Sequence, residues 1–159
     1  MLQEIGQLAT AAGVFLAYFS LRAARRQRLR QFETIYVQRY WALMDGLSVD
    51  AVAGRYGDVR DSDEKIARSY IRLCEDELEL RREGWISNAT WRIWSTGIDA
   101  QMRRWPFSAV WRQILEDSAP VPAQQREFQY LRNFMQDKAD PQGALSRAKR
   151  LARTLRPSP

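Results

Sequence analysis

The chain has 159 residues, 25 Lys and Arg against 19 Asp and Glu, no histidine and a single cysteine. That length suits one domain with one core. The missing histidine excludes Ser-His-Asp and Cys-His nucleophile systems and every imidazole-bound zinc or iron site, and a lone Cys74 forms neither an intramolecular disulfide nor a thiolate zinc site.

The net charge of +6 is concentrated at the two ends. Residues 1–30 carry five Arg and one Glu, residues 31–137 carry 14 basic and 17 acidic side chains, and residues 138–159 carry six basic and one acidic. The middle of the chain is therefore mildly acidic.

Residues 5–21, IGQLATAAGVFLAYFSL, carry no charge. At about 1.5 Å per residue they reach roughly 26 Å, close to a hydrocarbon core of about 30 Å. Arg22, Arg25, Arg26, Arg28 and Arg30 follow, the pattern of a cytoplasmic flank. Gln3, Glu4, Gln7 and Thr10 give the first part the polar face of an interfacial helix, but from Gly13 to Leu21 the segment is apolar nearly all round. A buried helix of a soluble fold is the third reading. A cleaved leader would begin basic, whereas this chain begins with Glu4 and turns basic only afterwards. The expectation is a transmembrane helix with the N-terminus outside and the bulk of the chain in the cytoplasm. Ala9 to Gly13 has small-xxx-small spacing, which lets a second helix approach.

No Gly or Pro lies between Val14 and Asp45, and Leu29, Phe32, Tyr36, Tyr40, Leu43 and Leu47 recur at steps of three and four. The first helix is thus expected to run on as a rod ending near Gly46, followed by a loop over 48–60. Asp61 or Ser62 can cap a second helix, with Glu64 completing a capping box. Its apolar stripe is Ile66, Tyr70, Leu73, Cys74 and Leu80, and Gly84 with Trp85 and Ile86 forms its stop. Ser87 caps a third helix with Trp91, Trp94, Ile98, Met102 and Trp105 on one face. Pro106 ends it and opens a fourth, carrying Phe107, Val110, Trp111 and Leu115. After SAPVP a fifth presents Phe128, Leu131, Phe134 and Met135. In the tail a thin Leu145, Ala148, Leu151 and Leu155 stripe opposes Arg147, Lys149, Arg150, Arg153 and Arg156, a basic end suited to an anionic surface.

Few residues propose chemistry. The cluster Glu75, Asp76, Glu77 and Glu79 lacks an EF-hand pattern, and the di-iron Glu-x-x-His pair needs a histidine the chain does not have. It reads as a solvated helix face, and neither metal nor cofactor is assigned. The tryptophans share faces with aliphatic side chains and read as core rather than as base-stacking platforms. No phosphate loop, nucleophile elbow or nucleotide fingerprint occurs.

The apolar segment with its basic exit, the long helix, and then YIRLCEDELELRREGWISNATWRIWSTGI from Tyr70 to Ile98 resemble a group of small bacterial proteins grouped as a domain of unknown function. The likeness spans residues 5–115 in pattern and is specific around Glu77 to Trp94. It implies a single membrane helix followed by a helical hairpin with a Gly-centred turn, and it implies no catalytic residues.

The expectation is an all-α protein: a membrane anchor with basic flank over 1–30, a cytoplasmic bundle of about four further helices over 31–137, and a basic tail over 138–159. Its location would be the bacterial cytoplasmic membrane, crossed once. Its function would be that of an interaction or accessory subunit without catalysis, partnered by the membrane and by another protein or a second copy. The alternative is a membrane-tethered nucleic-acid or anionic-ligand binder using the Arg-rich ends, with nucleic acid not favoured.

Overall fold

The computed structural model describes residues 2–143, with residues 2–15, 25 and 26 described in backbone only. The regular elements among them are helices: α1 (Leu2–Asp45), α2 (Val49–Val52), α3 (Asp61–Glu83), α4 (Asn88–Met102), α5 (Phe107–Asp117), a 3-10 turn (Ala123–Gln125) and α6 (Gln129–Asp137). The all-α reading holds for these residues.

The 44 residues of α1 form a rod of roughly 66 Å at the standard helical rise. Along its C-terminal half, Tyr36, Tyr40, Leu43, Met44 and then Leu47 pack against the core. α3 lies at the centre, packed on α1, α5 and α6, while α4 packs on α5. Its Ala67, Ile71, Leu73, Cys74 and Leu78 are buried among Phe107, Val110 and Ile114 of α5 and Leu131 and Phe134 of α6. Each such aliphatic or aromatic side chain, fully buried, contributes about 1.5–3 kcal/mol.

Several stops and starts are where local chemistry puts them. Gly84 adopts φ 83, its N–H bonds the Arg81 carbonyl at 3.1 Å and the Trp85 N–H bonds the Leu80 carbonyl at 2.9 Å, which is a Schellman closure of α3. Ser87 Oγ accepts the Thr90 N–H at 3.2 Å and caps α4, and the Ser87 N–H donates to Glu33 of α1 at 3.1 Å. Others differ from expectation. Arg60 stands at the N-cap of α3 and makes no side-chain capping bond, so neither Asp61 nor Ser62 caps it. Asp63, wholly buried, instead accepts the Ser48 N–H at 2.9 Å and the Ser48 hydroxyl at 2.7 Å. Ser48 in turn caps α2, a helical turn inside what the sequence offered as loop. On α5 the buried position is Ile114 and not Leu115, which stays 36% exposed, because 107, 110, 111 and 114 follow the 3.6-residue period. Trp105 is buried in the link beyond α4 rather than on it.

The expected transmembrane helix is corrected: among the described residues no helix is long and apolar enough to cross a membrane. The uncharged stretch falls short of a hydrocarbon core, includes Gln7, Thr10 and Ser20, and continues directly into a polar, arginine-bearing rod. With the span go the single-pass location in a bacterial cytoplasmic membrane, the outside N-terminus and the assignment of Arg22, Arg25, Arg26, Arg28 and Arg30 as a membrane flank.

Asp140 accepts two bonds from Arg81, at 2.9 and 2.6 Å, so the first residues after α6 are fastened to α3. Lys138 pairs with Asp99 of α4 at 2.5 Å.

Asp63 supplies the test of this description. Asp63→Ala leaves the Ser48 N–H and hydroxyl without their charged acceptor, a loss of about 3 kcal/mol, whereas Asp61→Ala should change stability by less than about 0.5 kcal/mol. Urea denaturation of both variants separates the two, and equal midpoints would restore the capping box to Asp61.

Candidate functional site

Four charged side chains of α3 are drawn into the bundle. Asp63 is satisfied by Ser48, as above. Glu75, half-buried, accepts the N–H groups of Tyr130 and Leu131 at 3.0 and 2.8 Å and so caps the start of α6. Arg81, buried, bonds Asp140, the Ile86 carbonyl at 2.9 Å and Asn88 Oδ1 at 2.8 Å, with its guanidinium 5.7 Å from the Trp91 ring centroid. Glu77 is the exception. It is 7% exposed, and among the described residues nothing donates a hydrogen bond to it or pairs with it.

Its carboxyl faces a cavity of about 230 Å³ between α1, α3 and α4. Tyr36 and Tyr40 come from α1, Tyr70 from α3, and Trp94, Gly97 and Ile98 from α4. The rings form two pairs, Tyr36 with Trp94 at 6.1 Å between centroids and Tyr40 with Tyr70 at 6.0 Å. The spacing explains the convergence: Tyr36 and Tyr40 are one turn apart on α1, and Tyr70 and Glu77 two turns apart on α3. Gly97 sits inside α4, where glycine is about 0.5–1 kcal/mol less favourable than alanine. A Cβ there would meet nothing within 4 Å, so packing does not demand the glycine and the space it leaves belongs to the cavity.

Burial, and secondarily the neighbouring Asp76, raises the Glu77 pKa from 4.5 to about 8. The groups around it reinforce this. From α1, Tyr36 has its pKa raised by burial and by Asp76, with Arg39, 5.4 Å from its ring centroid, pulling the other way. From α3, Tyr70 and Cys74 are both pushed up, chiefly by burial. α4 contributes the uncharged Trp94. With this pKa Glu77 holds its proton near neutral pH, at the inner side of an aromatic-lined recess whose rim, Val37 and Ile93, is exposed.

The residues singled out from sequence are distributed otherwise. Of the acidic cluster, Glu79 is exposed, but Glu75 and Glu77 are not a solvated face. Among the described residues no group of three or more His, Cys, Asp or Glu is placed to hold a metal ion. Arg22, Arg28 and Arg30 are exposed along α1 and do not line the cavity, and the side chains of Arg25 and Arg26 lie outside the described residues. Arg147, Lys149, Arg150, Arg153 and Arg156 lie outside them as well. Trp91 and Trp105 are buried, while Trp94 is half-buried at the cavity, and Trp41 is 58% exposed.

Fold and site together describe a helical bundle with an aromatic cavity holding one buried acid. No family model, curated protein or solved structure matches the chain.

The pH dependence of stability follows from Glu77. Its folded-state pKa stands above the unfolded value, so the folded protein retains a proton that the unfolded chain releases between about pH 4.5 and about 8. The stability this confers is complete below about pH 4.5 and is lost as pH rises through about 8. Glu77→Gln keeps the shape and removes the charge. Its urea midpoint should match that of the parent near pH 5 and exceed it near pH 9; a parent and variant that differ equally at both values would show that Glu77 titrates normally.

Proposed function

We propose that this chain is a non-catalytic helical binding module, an accessory or interaction component whose cavity captures a small organic cation. The observation that carries the reading is Glu77, 7% exposed and without a hydrogen-bond or ion-pair partner among the described residues, lining one cavity with four aromatic rings.

Ring faces attract a positive charge through their quadrupoles, by about 0.5–1 kcal/mol at exposed sites and about 2 or more when water is excluded. An ionised Glu77 adds direct neutralisation. Metal ions suit the site poorly, since they need several oxygen ligands and it provides one carboxyl. Val37, Ile93 and Ile98 give it apolar walls, which favour an alkylated ammonium over a hydrated one. The volume is below the roughly 300–1,000 Å³ of sites for drug-sized ligands, so a head group fits rather than an extended molecule. Binding in place of catalysis is supported by the cavity lining, which offers a single acid, the Tyr36 and Tyr70 phenols with raised pKa values and no thiol, since Cys74 is fully buried behind it.

Calorimetric titration with choline, and with its uncharged isostere carrying carbon in place of nitrogen, tests this. Choline should bind and the isostere should bind at least about tenfold more weakly, because it gains no cation–π or ionic attraction. Since the cation displaces the Glu77 proton, choline affinity should rise about tenfold per pH unit up to about pH 8 and level off above it. Gly97→Leu, which projects into open space, should keep the fold and abolish binding. An isostere bound as tightly as choline, or undiminished binding by Glu77→Gln, would refute the reading.

A further inference from the structure

A second recess lies against another part of α3, between it, α5 and α6. Four guanidinium groups line this groove of about 390 Å³: Arg68 and Arg72 from α3, Arg126 from the segment before α6, and Arg132 from α6. Two of them are held rigidly by bonds that leave their charge uncompensated. Arg126 donates to the Val121 carbonyl at 2.7 Å and the Ala119 carbonyl at 3.0 Å. Arg132 donates to the Glu127 carbonyl at 2.9 Å and the Ser118 hydroxyl at 2.7 Å, and lies 5.6 Å from the Trp111 ring centroid.

Among the described residues, Arg72, Arg126 and Arg132 form no ion pair; Arg68 alone is paired, with Glu64 at 2.8 Å. Asp117 and Glu127 also line the groove, yet neither carboxylate accepts from these guanidiniums. Glu75 lies close enough to be felt by Arg132, but both its oxygens are engaged by the α6 N–H groups. Burial and the nearby Arg126 both lower the Arg132 pKa, as expected where positive charges are confined together. One wall is apolar, from Ile114, Val121 and Phe128. Phe128 stands at φ 59, a conformation unfavourable for a bulky residue.

We propose that this groove binds a phosphate monoester, with Arg72, Arg126 and Arg132 holding the phosphoryl oxygens and the ester's compact apolar body against Ile114, Val121 and Phe128. Guanidinium forks match the oxygens of phosphate and carboxylate alike. The phosphate monoester is the better match because it brings about −1.5 to −2 charges near neutral pH to a groove lined by three guanidinium side chains that form no ion pair among the described residues. The site is independent of the Glu77 cavity and assigns anion binding to residues more than fifty positions apart in sequence, away from the Arg-rich ends.

The test is calorimetry on the full chain at low salt with phenyl phosphate, inorganic phosphate and benzyl alcohol as probes. Phenyl phosphate should bind saturably and about tenfold more tightly than inorganic phosphate, and benzyl alcohol should not bind. Arg72→Gln and Arg132→Gln should each weaken phenyl phosphate about tenfold, while Arg103→Gln, whose partner Asp99 lies on α4, should leave it unchanged. Arg132 also supports the chain, so if its variant does not fold, Arg72, exposed and unpaired, decides. The proposal is overturned by an absence of saturable binding, by inorganic phosphate binding as tightly as phenyl phosphate, or by Arg103→Gln weakening the ester as much as Arg72→Gln does.

Discussion

The structure depends on the burial of α3. A helix packed on three others must bury more of its circumference than its aliphatic residues cover, so charged side chains go in with them, and each needs a partner from elsewhere in the chain. Ser48 meets Asp63, the start of α6 meets Glu75, and Asp140 with Ile86 and Asn88 meets Arg81. These bonds join α3 to the α1–α3 connection, to the α4 entry and to both ends of α6. Satisfying the charges of one helix thereby fixes the placement of the others.

Glu77 stands out against this pattern because its neighbours are rings and aliphatic chains. In an apolar enclosure an acid avoids the cost of burying charge by holding its proton, and the same acid becomes an anion when a cation shares the enclosure. The cavity thus lies where α1, α3 and α4 approach one another, and its charge is adjustable at one group. Gly97 contributes by omission, keeping open a volume that any larger side chain would occupy.

The arginine groove follows from the same geometry. At about 100° per residue, Arg68 and Arg72 fall on nearly the opposite side of α3 from Tyr70 and Glu77. One helix therefore presents an acid to one recess and guanidiniums to another, with the hydrophobic core between. Arg126 and Arg132 reach that second recess only because the segment between α5 and α6 folds back, held by their bonds to the carbonyls of Val121, Ala119 and Glu127.

By itself the sequence determined the longer helices, though not the single turn of α2, since apolar period, Gly84, Ser87 and Pro106 act within a few residues, and local signals suffice to start and stop a helix. It also placed Cys74, Trp91 and the Leu131–Phe134 pair inside, because their stripes have no other face to occupy. An uncharged run followed by arginines was a misleading local signal: length and apolarity set membrane crossing, and no described helix has enough of both. The cluster from Glu75 to Glu79 looked solvated because adjacent acids share composition, whereas each points in a direction set by its place on the helix, and only packing decides which direction is covered. Asp63, Glu77 and Arg132 acquired their roles in that step. Their partners, or for Glu77 the lack of one among the described residues, come from segments distant in the chain, and a buried charge is defined by what surrounds it in space.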